Sequence, residues 1–337
     1  QGYSSAASDV YKRQHTYRTG SFFFLLSRML GTAAKLYLVC LILHTHVFQE
    51  MHIPFWVIAV GSVTLVWIYT HKSGIKTIVW TDTLQTFCLI AALLFIIYFT
   101  IQKLDTGFDG IVQTIRNSEH NRIFVFDDWI SRQNFFKQFF SGIFIVIVMT
   151  GLDQDMMQRN LSCKNFRDSQ KNMITSGISQ FFVILLFLML GVLLYTFTAQ
   201  QGIKNPDKSD EIFPMIATGN YFPGIVGILF IIGLIASAYS AAGSALTALT
   251  TSFTVDILNA QKKGEAALSK IRKHVHIGMA IVMGIIIFVF NLLNNTSVID
   301  AIYTLASYTY GPILGLFAFG IFTKKQTVSY THLTLPT

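Results

Sequence analysis

Long apolar runs separated by short polar segments extend over most of the chain. Most of these runs are close to the ~20 residues that an α-helix needs to cross the hydrocarbon core of a bilayer. We predict eight membrane-spanning helices, at residues 20–43, 54–70, 77–101, 137–157, 173–198, 223–255, 276–293 and 299–323. The sixth run is longer than one crossing requires, so this helix has to tilt, protrude or bend. The pattern predicts an all-α polytopic membrane protein.

The connections between the runs alternate between basic and non-basic. Lys and Arg concentrate in 72–76, 159–171 and 262–273. The connections between these segments contain few basic residues, or contain acidic residues that balance their charge. Short cytoplasmic loops are enriched in Lys and Arg, so the basic connections are predicted to be cytoplasmic. The third helix then runs outward. The outer segment 102–136 is expected to form a small helix or hairpin at the membrane surface.

The composition agrees with a membrane location. Hydrophobic residues make up 52% of the chain and charged residues 12%, about half the charged fraction of a soluble domain. The net charge of +8 lies in short loops where membrane topology explains it, so we predict the lipid bilayer as a partner and no nucleic acid. The three cysteines form no C-x-x-C pair, and no structural disulfide is expected.

One carboxylate interrupts the third run. Asp82 stands near its start, in "VWTDTLQTF". Insertion scales assign roughly 2.5–3.5 kcal/mol to an acid at membrane depth, so such a residue usually faces the bundle interior and has a function. Two interpretations remain open. Asp82 is a helix N-terminal acid that interacts with the helix dipole, or it supplies the negative charge of a cation site completed by another helix.

Hydroxyl groups follow one face of the sixth run, in "IASAYSAAGSALTALTTSFTVDIL". At helical spacing they form a single stripe. The stripe comprises Ser237, Ser240, Ser244, Thr247 and Thr251. Small residues at such positions allow close packing of membrane helices, and hydroxyls also bond back to their own helix. The alternative is an oxygen-lined surface that replaces water around a small hard cation such as Na⁺.

Three motifs, in the same order along the chain, resemble those of the sodium/solute symporter family. They are "SGIKTIVWTDTLQ", "TGLDQDMMQRNLSCKN" and "ASAYSAAGSALTALTTSFTVDIL". The resemblance implies a LeuT-like inverted-repeat fold, truncated here to about the third to tenth core helices. It also implies secondary active, Na⁺-coupled symport of a small polar or anionic solute across the plasma (inner) membrane. A proton-coupled carrier and a transporter-like sensor or receptor module are the alternatives.

The resemblance also assigns ion-binding positions. Ser240 matches a hydroxyl ligand and Ser237 a backbone-carbonyl position of the sodium site that most members share. Asp82, Ser240 and Ser244 match a further sodium site that some members have. Ala241 and Gly243 depart from the family pattern, because polar groups are usual at both positions.

Three residues are candidates for a substrate cavity. Arg28 and Lys35 are seven positions apart on the first run and share a helical face. One of them meets an anionic solute, with Lys35 at the better depth, or they snorkel towards the interface or pair with an acid. Tyr308, on the last run, is a candidate near the cavity, although aromatic residues at such positions more often serve packing.

The end of the fourth run is charged. Resemblance implies an inner-gate network of Asp153, Gln154, Asp155 and Arg159, and the alternative is an ordinary charged helix end. Nucleophile-elbow, metalloprotease and P-loop motifs do not occur in the sequence. We therefore predict a transporter rather than an enzyme, with no cofactor other than Na⁺ as the coupling ion.

Both ends depart from the hydropathy pattern. "QGYSSAASDVYKRQ" and "TVSYTHLTLPT" resemble translated cloning sequence. We expect non-native tails at 1–14 and 327–337, on either side of a partial transporter core at 15–326.

Overall fold

A computed structural model describes most of the chain. It covers residues 14–72, 75–104, 108–117, 124–131, 133–151, 160, 163–206, 209–262, 264–293, 304, 308, 311–315 and 318–319. Most of the eighth predicted helix, 299–323, and most of both predicted tails lie outside the described residues.

Nine α-helices account for most of the described part. They are α1 (Gln14–Ile42), α2 (Phe55–Lys72), α3 (Ile75–Lys103), α4 (Phe108–Asn117), α5 (Phe135–Val146), α6 (Phe166–Gln200), α7 (Ile212–Thr218), α8 (Gly224–Ser252) and α9 (Glu265–Leu293). Short π-helical segments extend α1, α5 and α8, at Leu43–Val47, Ile147–Gly151 and Phe253–Ile257.

The first seven predicted membrane helices coincide with helices of the structure. Five are long and apolar enough to cross a bilayer, at Gly20–Val47, Asp82–Lys103, Phe166–Gln200, Gly224–Ile257 and Glu265–Leu293. Phe55–Thr70 and Phe135–Val146 are shorter apolar helices. The sixth span contains 34 residues, about 51 Å at 1.5 Å per residue. It therefore exceeds the bilayer core, as its sequence predicted.

The segment 102–136 contains local structure of the predicted kind. Helix α4 is short and amphipathic, with apolar and polar residues on opposite faces. An isolated bridge pairs Val125 with Asn134. The Asn134 side chain then caps α5 by accepting from the backbone N–H groups of Phe136 and Lys137, which satisfies two donors that a helix start leaves unpaired.

Helix α8 belongs to two apolar cores. The first joins α8 to α1, α2 and α9, and contains Ala242 and Leu246 of α8. The second joins α8 to α3, α6, α7 and the end of α1 at Ile42, and contains Val226 and Phe230 of α8. The inner part of α8 is rich in Ala, Gly and Ser. Such small residues let neighbouring helices approach closely in a membrane, which explains how one helix contacts so many others.

A histidine joins three helices inside the first group. His276 of α9 has Nε2 2.9 Å from Thr70 Oγ1 on α2 and Nδ1 2.9 Å from Thr250 Oγ1 on α8. Each threonine hydroxyl is also within hydrogen-bond distance of a carbonyl of its own helix, Val66 for Thr70 and Leu246 for Thr250. The sequence analysis did not single out this residue. A histidine within an apolar helix indicates a polar partner on another helix.

Replacing His276 with Leu is expected to lower the free energy of unfolding by about 1–2 kcal/mol, because two interhelical hydrogen bonds are lost at roughly 0.6 kcal/mol or more each. Thermal unfolding of the purified protein in detergent measures this. His274→Leu is the matched control, since the His274 ring is exposed and contacts the Lys270 carbonyl of its own helix. Equal melting temperatures for the two variants would contradict a bridging role.

Candidate ion-binding site

The third and sixth predicted spans meet at a carboxylate and a hydroxyl. The Ser240 Oγ of α8 donates a hydrogen bond to Asp82 Oδ1 of α3. Ser240 is buried and Asp82 is half-buried. The contact joins two of the residues that the sequence analysis selected, although they are 158 positions apart in the chain.

The helical context of Asp82 bears on the interpretation of this residue as a helix N-terminal acid. Helix α3 begins at Ile75, and its first turn contains no acidic residue. Asp82 therefore lies about two turns inside the helix, whereas the favourable dipole interaction falls off within the first turn. Asp82 is thus too far from the helix end for the dipole interaction, and its carboxylate contacts Ser240 of α8.

A glycine sets the distance between α3 and α8. A Cβ atom at Gly233 would lie 2.8 Å from Leu89 Cγ and 3.1 Å from the Leu89 backbone nitrogen. Leu89 follows Asp82 by seven residues, and Gly233 precedes Ser240 by seven. The two helices thus run antiparallel in one register, with the glycine contact two turns from the Asp82–Ser240 contact. The sequence analysis missed Gly233, because a single glycine in a small-residue helix gives little signal of its own.

The other hydroxyls of the stripe bond back to α8. Ser244 is buried and donates to the Ala241 carbonyl at 3.3 Å, and Thr247 donates to the Gly243 carbonyl at 3.0 Å. Ser237 is half-buried, one turn before Ser240. A hydroxyl that donates to a carbonyl keeps its oxygen lone pairs, so this pattern leaves acceptor oxygens on the stripe of α8 that includes Ser240.

A recess extends along α3 beside the carboxylate. It has a volume of about 690 Å³ and is lined by Asp82, Thr83, Thr86, Phe87, Ile90, Ala91 and Leu94. The Thr86 hydroxyl donates to the Asp82 carbonyl at 2.8 Å. Asp82 thus has α8 on one side and an accessible space on the other.

The donor types at this contact suit a hard cation. Carboxylate, hydroxyl and carbonyl oxygens bind hard metal ions, whereas softer transition metals prefer nitrogen and sulfur. Within the described ranges, no three side chains of His, Cys, Asp and Glu converge on one point.

The substrate-cavity candidates have different environments. Arg28 of α1 is half-buried, whereas Lys35 is exposed although it lies in the middle of the same helix. Tyr308 is 75% exposed. The inner-gate candidates Asp153, Gln154, Asp155 and Arg159 lie outside the described residues, so their role remains a prediction.

Comparison with known proteins identifies the family. The model of the sodium:solute symporter family matches residues 23–329. The chain belongs to the sodium:solute symporter family. This family consists of transporters rather than enzymes, and Na⁺ is its coupling ion. The family predicted from the three motifs is thereby confirmed.

Individual relatives of this symporter-family chain are distant and longer. The sodium/sialic acid symporter NanT of Aliivibrio fischeri is 25% identical over 322 residues, 92% of this chain and 61% of the relative. The human sodium/iodide cotransporter is 22% identical over 316 residues, 90% of this chain and 47% of the relative. The chain thus spans about half to three-fifths of the length of these curated relatives.

A solved structure confirms the fold class. It shows a Na⁺-coupled sialic acid symporter in a substrate-bound, outward-open state, described with a novel Na⁺ site. The TM-score is 0.79 at 23% identity, with 96% of this chain and 66% of that chain covered. The predicted all-α, LeuT-like membrane bundle agrees with this likeness.

Proposed function

We propose that this chain is the core of a symporter in which Na⁺ moving down its gradient drives the uptake of a small anionic solute. The observation that carries the proposal is the contact between Asp82 and Ser240 across α3 and α8. Family membership supports the class of activity, and the geometry supports the place where the ion binds.

Sodium binding is proposed at this interhelical contact. Na⁺ takes one Asp82 carboxylate oxygen and the lone pairs of the Ser240 hydroxyl, which then turns its proton away. Ser244 Oγ and the Ser237 carbonyl are the proposed further ligands on α8. The ion neutralises a carboxylate at membrane depth, and it favours the arrangement in which α3 and α8 are close together. Ion binding has to favour one conformation over another if it is to drive transport.

The proposed solute carries a negative charge. The relatives are named as carriers of sialic acid, iodide and monocarboxylates, all of which are anions at neutral pH. Arg28 on α1 is the described cationic candidate for contact with such a solute, since it is half-buried whereas Lys35 is exposed.

The proposed location is the plasma membrane, with the basic connections in the cytoplasm. Helix α3 then starts at the cytoplasmic side, which places Asp82 in the inner half of the bilayer. One charge crossing 100 mV releases about 2.3 kcal/mol, so the membrane potential itself can drive accumulation of the solute.

Uptake into proteoliposomes containing the complete protein tests the function. We expect an imposed inward Na⁺ gradient to drive accumulation of radiolabelled sialic acid or lactate, and an equal K⁺ gradient to drive none. Accumulation with a proton gradient in the absence of Na⁺ would instead show a proton-coupled carrier. Solute binding without uptake would show a sensor.

A further inference from the structure

An apolar groove lies between α2 and α9, away from the ion site. Its volume is about 590 Å³. Trp56, Val63 and Trp67 belong to the α2 wall, and Ile277 and Phe288 to the α9 wall. Thr64 contributes a hydroxyl to an otherwise apolar and aromatic lining. The groove therefore offers a surface for hydrocarbon and little for a polar ligand.

Small residues on both helices create the space. Ala59 of α2 and Ala280 of α9 line the groove, together with Gly284 of α9. A Cβ atom at Gly284 would meet nothing nearer than Val63 Cγ2 at 3.9 Å. The backbone would thus accept a side chain at this position, and a large one would project into the groove.

The groove opens towards the basic end of the two helices. On α2 it extends from Trp56 to Trp67, and on α9 from Ile277 to Phe288. Each stretch rises by about 17 Å, slightly more than half of the ~30 Å hydrocarbon core. The last charged residue of α9 before its apolar part is Lys273, about 6 Å below Ile277. The groove therefore begins about 6 Å from Lys273 and ends about 23 Å from it, near the end of α2 that lies opposite Lys72.

Two lysines continue the groove face of α9 into the headgroup region. Lys273 and Lys270 precede Ile277 by four and seven residues, so they lie on the same side of the helix. Both are exposed. The cytoplasmic leaflet carries anionic lipids that basic juxtamembrane residues attract. Arg272 is also exposed but points about 140° away from Ile277.

We propose that the α2–α9 groove holds one acyl chain of an anionic phospholipid of the cytoplasmic leaflet, with the lipid phosphate beside Lys273 and Lys270. The apolar groove binds the chain, and the lysines select the headgroup. A second copy of this protein fits less well, because a two-fold contact through this face brings the same lysines of both copies together. The proposal is independent of the Na⁺ site and of the solute.

Tryptophan quenching by brominated lipid tests the proposal. This chain has four tryptophans, so within it Trp80→Phe and Trp129→Phe leave the two in the groove, Trp56 and Trp67. Any tryptophan elsewhere in the complete protein is replaced with Phe as well. The complete protein in detergent is titrated with phosphatidylglycerol or phosphatidylcholine brominated on one acyl chain. We expect saturable quenching with phosphatidylglycerol, and at least tenfold weaker binding of phosphatidylcholine.

Matched variants separate the two parts of the site. Gly284→Leu is expected to abolish saturable quenching, whereas Gly278→Leu, at another open position of α9, leaves it unchanged. Lys273→Glu is expected to remove the preference for phosphatidylglycerol, and Arg272→Glu to preserve it. If Gly284→Leu does not fold, Val60→Phe fills the groove from α2. Equal quenching by both lipids would overturn the proposal, and so would unchanged quenching in Gly284→Leu or Val60→Phe. Shielding of both tryptophans by a protein segment would also overturn it.

Discussion

Replacing Asp82 with Asn is expected to raise the Na⁺ concentration for half-maximal uptake by about 10- to 100-fold. The reason is the loss of a charged ligand. A hydrogen bond or ion contact with a charged group contributes about 1.5–3 kcal/mol, and each 1.4 kcal/mol is a factor of ten. Ser240 retains its hydroxyl in this variant but faces a neutral amide, which attracts a cation weakly.

The measurement is uptake by the complete protein at a series of Na⁺ concentrations. Glu265→Gln is the control, because it also removes one carboxylate but does so at the exposed start of α9. Ser240→Ala and the double variant complete a mutant cycle. If both residues hold one ion, their effects fall short of additivity. Additive losses, or unchanged Na⁺ dependence in Asp82→Asn, would remove the site assignment.

Replacing Gly233 with Ala is expected to damage the same site from two helical turns away. The added Cβ would lie 2.8 Å from Leu89 Cγ and 3.1 Å from the Leu89 backbone nitrogen, so α3 and α8 have to separate. Overpacking of this kind costs about 1–3 kcal/mol. Because Asp82 and Ser240 share this register, we expect a lower melting temperature together with weaker apparent Na⁺ affinity.

Two controls make this prediction specific. Gly224→Ala adds the same methyl group to the same helix at an open position, and it is expected to change neither property. Leu89→Ala combined with Gly233→Ala removes the clashing side chain and is expected to restore part of both. A Gly233→Ala protein with normal stability and normal Na⁺ dependence would show that the close approach of α3 and α8 is not needed.

The sequence predicted the membrane helices because their signal is local. Each apolar run identifies a span without knowledge of its neighbours, and seven of the eight predicted spans coincide with helices of the structure. The Asp82–Ser240 pair could be predicted from the sequence for a related reason. A carboxylate and a row of hydroxyls in apolar helices have few favourable partners in hydrocarbon. Each of them therefore suggests that the other is its partner.

The features that the sequence did not reveal depend on the distance between helices. A glycine within a helix gives no indication of which residue it contacts, so the approach of Gly233 to Leu89 became visible in the structure. His276 illustrates the same point, since its partners Thr70 and Thr250 are hydroxyl residues on two other helices. The exposure of Lys35 in mid-helix likewise depends on which face of α1 packs inward.

Helix α8 contributes residues to both apolar cores, and this affects how the two groups of helices would move. Val226 and Phe230 of α8 belong to the core shared with α3, α6 and α7, whereas Ala238 and Ala242, on either side of Ser240, belong to the core shared with α1, α2 and α9. His276 additionally connects α2, α8 and α9 within the second of these groups. A cation bound beside Ser240 would therefore join α3 to a part of α8 that packs with α1, α2 and α9, and so would couple the two groups of helices.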